Sequence, residues 1–224
     1  DARGDGDRLI REGRFGEARN LLGEACWNRP GWDPAGIGAW ADAAAALAAF
    51  DEGYAGDFRA AEARWREILG LTGLPADHPA AAAAREGLRR LAAARGKFGK
   101  EDEVLAAMPV DARDVEESRG RVETLRALIA ASPGYYRMAE ARHYLGKALL
   151  DIGNDHAARR EPWRAIEAYG GARREFRLAF ALKPAIRFYL DTGQLAETAA
   201  ARRARGLGAT ISGTYGSVAI GANG

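Results

Sequence analysis

Cysteine, lysine and aromatic residues are all scarce in this chain, and each scarcity removes a class of structure. A single cysteine, Cys26, excludes an internal disulfide framework and any cysteine-based metal site. Its place on the Leu22/Ala25 side of a helical stretch reads as a small buried hydrophobe rather than a reactive thiol. Aromatics make up 8% of the residues and β-branched residues are sparse, while alanine supplies much of the 47% apolar content. That balance disfavours sheet and favours closely packed helices, so the fold class is all-α. No apolar run reaches the ~18 residues of a membrane span. An excess of one charge is missing too, since 33 basic and 31 acidic residues leave a formal +2 and a pI near 8.8. A field of that size demands neither nucleic acid nor an acidic partner. Lysine stands only at Lys97, Lys100, Lys147 and Lys183, so the basic content is almost all arginine, which reads as codon usage in GC-rich DNA rather than phosphate recognition.

At 224 residues the chain is long enough to bury a core, as one or two globular domains or as a single solenoid. The organising stretch is Leu9 to Pro30. After a short apolar turn, Gly13 is followed by Phe15, Ala18, Leu22 and Ala25 at helical spacing, until Pro30 forbids continuation. Small residues at Ala18 and Ala25 let two helix backbones approach closely, while Phe15 and Leu22 fill the gaps. Taken as they stand, these residues resemble the second half of a tetratricopeptide repeat (TPR).

Weaker copies follow. Gly56, Phe58, Ala61, Trp65 and Ile68 repeat the spacing without a gap, with Pro75 arriving late. Gly96, Phe98, Leu105 and Met108 echo it again, but Glu101 stands where the small residue belongs, which predicts open or edge packing there. Leu145-Gly146 followed by Leu149 makes Tyr135 to Ile152 the most TPR-like first helix, and Gly153-Asn154 is expected to end it. Pro162 opens a long helix to Leu182 in which two registers fit, Ala165/Ile166/Tyr169/Ala172 or Tyr169/Ala172/Phe176/Ala179/Pro184. The last pair, Pro184 to Asp191 and Leu195 to Arg205, resembles a repeat with a polar terminal helix.

At the start, Asp1 to Asp7 is polar and glycine-containing, so the first helix is expected only near Asp7. Asp33 and Pro34 cap and open the next helix. Trp27, Trp32 and Trp40 crowd that junction, either as a plug for the uncovered hairpin or as an aromatic platform at the solenoid's end. An Asp111 or Asp114 cap opens the helix that ends at Ser132-Pro133. Leu207 to Gly224 turns to glycine with alternating Ile211, Tyr215, Val218 and Ile220, which predicts extended or disordered chain. Within it, Ser217 to Gly221 looks like the core of the head repeat of trimeric autotransporter adhesins, but one copy cannot build that β-roll.

Residues able to carry chemistry are few. Glu140 and His143 are one turn apart, as in iron-binding bundles, but no second such pair is visible. Asp151, Asp155 and His156 flank Asn154 with a spacing that matches no calcium loop. His78 before Pro79 reads as a capping or solvent residue. No Ser-His-Asp order, nucleophile elbow, Walker loop or HExxH appears, so no catalytic residue, cofactor or metal is expected and the chain is not read as an enzyme. Arg159-Arg160, Arg173-Arg174 and Arg202-Arg203-Arg205 are the basic clusters, with Arg173 and Arg174 open to an anionic partner.

The resemblance implies a right-handed α-solenoid of antiparallel helical hairpins with a glycine-rich, non-helical C-terminal tail. Residues 1–109 would hold the first hairpins, 110–206 the later hairpins and capping helix, and 207–224 the tail. It also implies a groove lined by the first helix of each hairpin, gripping a protein or peptide partner. The expected partner-binding residues are Trp40, Asp42, Glu52, Arg137, Arg142, Tyr144, Lys147, Arg173 and Arg174. The alternative is a helical shell or subunit of a cell-envelope enzyme or surface assembly, docked or oligomerised through the tail. Because the chain begins at Asp1 rather than methionine, export to the periplasm is the expectation and the cytoplasm the alternative.

Overall fold

The computed structural model describes residues 2–27, 34–108, 112, 114–186, 210–213 and 216–219. Among these, nine α-helices follow in order: α1 (Ala2–Arg11), α2 (Phe15–Ala25), α3 (Pro34–Phe50), α4 (Phe58–Leu69), α5 (Pro79–Lys97), α6 (Gly99–Ala106), α7 (Val115–Ala131), α8 (Met138–Ala158) and α9 (Pro162–Leu182). A π-helical turn, Asp51–Ala55, extends α3. Two short strands, β1 (Thr210–Gly213) and β2 (Gly216–Ala219), pair antiparallel with Thr210 opposite Ala219. No helix among the described residues is long and apolar enough to cross a membrane. Pro30, Trp32, Asp33, Asp111, all but the first three residues of the repeat expected over 184–205, and Tyr215 lie outside the described residues.

Local chemistry sets the helix starts. Asp57 accepts a hydrogen bond from the Ala60 amide at 2.9 Å and caps α4, and Asp114 does the same for α7 through the Glu117 amide at 2.8 Å. His78 caps α5, its Nδ1 accepting from the Ala80 amide at 3.2 Å. Pro162 occupies the first turn of α9, where its missing N–H costs nothing. Gly13 and Gly56 turn the chain between helices with φ of 72° and 75°, a region that favours glycine.

The chain divides into two compact units, Asp1–Lys97 and Phe98–Gly224. In the first, each of α1 to α5 packs on its sequence neighbour, and α3 also touches α1 and α5. Ala18, Leu22, Ala61 and Ile68 are all 0% exposed, with Trp65 beside them at 2%. The alanines act as spacers between helices, as their spacing predicts. In the second unit α7 packs on α8 and α8 on α9, around a core that includes Leu105, Leu125, Leu145, Tyr169 and Phe176. Ala165, Tyr169, Ala172, Phe176 and Ala179 are buried together, so the two registers proposed for α9 merge into one face.

Two expectations are corrected. Helix α1 begins at Ala2 rather than near Asp7, and Gly6 within it gives up a side chain so that Leu22 can seat against its backbone; a Cβ there would lie 2.9 Å from Leu22 Cδ2. Helix α8 does not end at Gly153-Asn154 but continues to Ala158, because Gly153 admits the ring of Tyr169, whose hydroxyl donates to Asn154 Oδ1 at 3.1 Å. Glu101 accepts a hydrogen bond from the Ser132 hydroxyl, which holds its carboxyl below the usual range. Its neighbour Asp102 takes the hydroxyls of Tyr135 and Tyr136 at 2.6 and 2.7 Å. These bonds and the packing of Phe98 on Tyr135 draw α6 into the second unit.

Glycines on the two sides of α8 and α7 differ in what surrounds them. A Cβ at Gly153 would lie 2.5 Å from Tyr169 Cε1, whereas one at Gly120 meets nothing within 4 Å. Gly153→Ala is expected to destabilise the second unit by about 2 kcal/mol through overpacking, and Gly120→Ala to stabilise it by up to about 1 kcal/mol. Urea unfolding of the two variants followed by circular dichroism checks both signs.

Candidate functional site

Helices α1, α3 and α5 border a cleft of about 550 Å³ within the first unit. Ala45, Ala46 and Ala49 from α3 and Pro79, Ala80 and Ala83 from α5 give it a small-residue lining, which is why there is room between the helices. Ile10, Phe50, Tyr54 and Trp65 add larger apolar walls, and Arg3, Asp7 and Arg11 bring charge from exposed positions on α1. The volume falls within the roughly 300–1,000 Å³ of ligand pockets, and the mixture of apolar wall and few polar groups is typical of them.

The π-helical turn sets one wall. Its extra residue per turn displaces Tyr54 from the α3 phase, and the ring then stacks between Phe50 at 5.8 Å and Phe15 at 5.5 Å. Asp51, 2% exposed, anchors the turn from inside: its backbone carbonyl accepts the Asp57 amide at 2.8 Å and its carboxylate takes Arg64 Nε at 3.2 Å. Burial pushes the Asp51 carboxyl above the ordinary aspartate value, and the Arg64 guanidinium only partly opposes this. Glu52 leaves the same turn to pair with Arg90 at 3.1 Å, fastening it to α5. Trp65 reaches the cleft across α5, where Gly87 makes room for the indole; a Cβ there would sit 2.5 Å from its Nε1.

No family model, curated protein or solved structure matches the chain. The TPR resemblance therefore rests on the residue spacing alone.

Of the expected partner-binding residues, none from the first unit lines the cleft. Trp40 is a core residue at 5% exposure, its indole N–H donating to the Cys26 carbonyl at 3.3 Å, which corrects its expected place on a groove surface. Asp42 stands 3.6 Å from Arg3 and Glu52 holds Arg90, so both position groups around the cleft. Of the other tryptophans at the junction, Trp27 is 85% exposed and plugs nothing. On α8, Arg137 binds Glu140 in two-pronged fashion at 2.8 and 2.9 Å and reaches Asp102 at 3.3 Å. Arg142 pairs with Glu175 of α9 at 2.7 Å. Tyr144 is half-buried beside the His143 ring, its phenol pushed up by burial, and Lys147 is half-buried one turn on. Arg137 and Arg142 thus tie α8 to α6 and α9. Arg173 and Arg174 lie on a separate hollow of α9.

The groups weighed for metal chemistry are engaged elsewhere. Glu140 belongs to Arg137, Asp151 accepts from the buried Ser118 hydroxyl at 3.3 Å, Asp155 pairs with Arg159 and His156 with Glu161. Among the described residues no group of three or more His, Cys, Asp or Glu side chains is placed to hold a metal ion. Cys26 is half-buried, and burial pushes its thiol up, away from thiolate chemistry.

Because the native Asp51 holds its proton to a higher pH than an unfolded aspartate does, the folded state binds more protons between those two values. Stability therefore falls as pH rises through that window. Asp51→Asn should remove this slope, and Arg64→Met should cost about 2 kcal/mol at pH 8 and much less at pH 4, since it strands a buried carboxylate that protonation neutralises. Denaturant midpoints measured at both pH values test the two variants.

Proposed function

We propose that the chain is a non-catalytic protein-protein interaction module or assembly scaffold of TPR-like helical hairpins, which holds a peptide or a partner's segment in a groove along its first helices. A single observation carries the reading: the cleft of about 550 Å³ is bordered by α1 and α3, which open the α1/α2 and α3/α4 helix pairs, and by α5. The small-residue lining suits apolar side chains of an extended or helical ligand, and Arg3, Asp7 and Arg11 stand where they can meet its backbone or polar groups. Burying a leucine-sized or phenylalanine-sized side chain contributes roughly 1.5–3 kcal/mol. Two such anchors with a few hydrogen bonds suit an affinity in the micromolar range. A right-handed superhelical stacking of the hairpins belongs to the same proposal.

Selection of peptides from a random display library on the whole chain, followed by titration calorimetry, tests this. The selected peptides should share apolar anchors, and Ala49→Trp, which fills the cleft from an exposed position, should weaken them at least tenfold with helix content unchanged. Ala83→Trp provides a second plug from α5. Peptides that bind both variants as well as the original chain overturn the groove assignment.

A further inference from the structure

A second binding feature lies in the other unit, on α9, and is independent of the cleft. Gly170, Arg173, Arg174, Arg177 and Leu178 line a hollow of about 310 Å³. Their spacing of i, i+3, i+4, i+7 and i+8 places them on one face of the helix. The three arginines fall within about 6 Å of helix rise, and Gly170 leaves the space beside them open. Leu178 and Leu182 continue this region toward the helix end at 39% and 49% exposure.

The arginines of this face differ from most others in the chain. Arg14, Arg64, Arg90, Arg95, Arg137 and Arg142 each hold a carboxylate within 3.3 Å. The side chains of Arg173, Arg174 and Arg177 make no hydrogen bond or ion pair with any described residue, and Arg173 Nε is shut off from solvent without an acceptor. The nearest acid on their own helix, Glu175, is turned to Arg142 of α8 at 2.7 Å. Glu167 is exposed two turns before Arg174 and marks the end of the positive zone. A chain whose overall charge is only +2 thus concentrates three uncompensated guanidinium groups in one turn, next to exposed leucine.

We infer that this face of α9 is a docking site for an acidic peptide segment of a partner, with aspartate or glutamate carboxylates bridged by Arg173, Arg174 and Arg177 and an adjacent apolar residue laid on Leu178 and Leu182. Planar guanidinium forks suit carboxylate oxygens, and the exposed leucines suit a chain that alternates acidic and apolar side chains. The footprint is too small for nucleic acid, whose binders commonly make 6–10 phosphate contacts. A membrane surface fits less well, because three basic side chains contribute only about 1 kcal/mol each there and Glu167 faces the same way.

The test uses the whole chain and a fluorescein-labelled peptide of alternating glutamate and leucine, followed by anisotropy at 50 and 300 mM salt. Binding is expected at low salt and should weaken severalfold at high salt. Removing each arginine should weaken it roughly threefold to fivefold, and Arg173→Ala, Arg174→Ala and Arg177→Ala together on the order of 30-fold. Since Arg173 is partly buried, the double variant Arg174→Ala/Arg177→Ala guards against misfolding. Its control is Arg59→Ala/Arg126→Ala, which removes the same charge from other exposed positions and should leave binding unchanged. Equal loss in the control, or no loss in the double variant, overturns the site. Pyrophosphate that displaces the peptide at equal concentration, or sedimentation with phosphatidylserine vesicles in place of peptide binding, overturns the acidic-peptide assignment.

Discussion

The architecture depends on pairs in which one helix gives up a side chain and its neighbour supplies a large one. Gly6 receives Leu22, Gly87 receives Trp65, Gly146 receives Phe176 and Gly153 receives Tyr169. Each pair fixes both the separation and the register of two helices, since the large group enters only where the backbone is bare. Glycine inside a helix costs about 1 kcal/mol relative to alanine, and here that cost is offset by dispersion contacts and apolar burial around each inserted ring. The alanines at Ala18, Ala61 and Ala172 are likewise buried where helices meet.

Two carboxylates add what small-to-large packing cannot, namely the ends of helices. Asp51 holds the π-helical turn against α4 through Arg64, and Asp102 gathers Tyr135, Tyr136 and Arg137 at the start of α8. Tyr135 is 3% exposed and its phenol is pushed up by burial, with the hydrogen bond to Asp102 acting in the same direction. A buried acid is expensive unless its oxygens are satisfied. Asp102 meets that condition with three donors, whereas the Asp51 carboxylate has the Arg64 guanidinium against a larger cost of burial, which raises its proton affinity.

Much of the fold was legible because it is written in periodicity. The positions of Ala18, Leu22, Ala61, Trp65 and Ile68 recur at helical spacing, and all are buried. What periodicity could not supply was the meaning of a glycine. Gly153 next to Asn154 reads as a helix end by propensity, and only the ring of Tyr169 above it shows why the helix continues. The cleft was harder still. Trp40 is expected in the groove as an aromatic on the first helix of a hairpin, yet its indole finds an acceptor in the Cys26 carbonyl and it packs inward. The signal for the cleft was present in Ala45, Ala46 and Ala49, small residues on the first helix of a hairpin, but alanine is so common here that the ones lining empty space look like the ones filling it. Tyr54 depended on a π-helical turn that no residue pattern announced.

That turn places one more residue in the helix than regular winding allows. The side chains beyond it are swung by about 100° from where an uninterrupted α3 would carry them. Deleting any one position between Asp51 and Ala55 would therefore not merely shorten the chain but restore the ordinary phase, swing Tyr54 off its aromatic neighbours and shift the point at which α4 begins. The first unit thus tolerates exchange of residues in this segment far better than a change in their number, so relatives of this chain should keep its length there even where its letters drift.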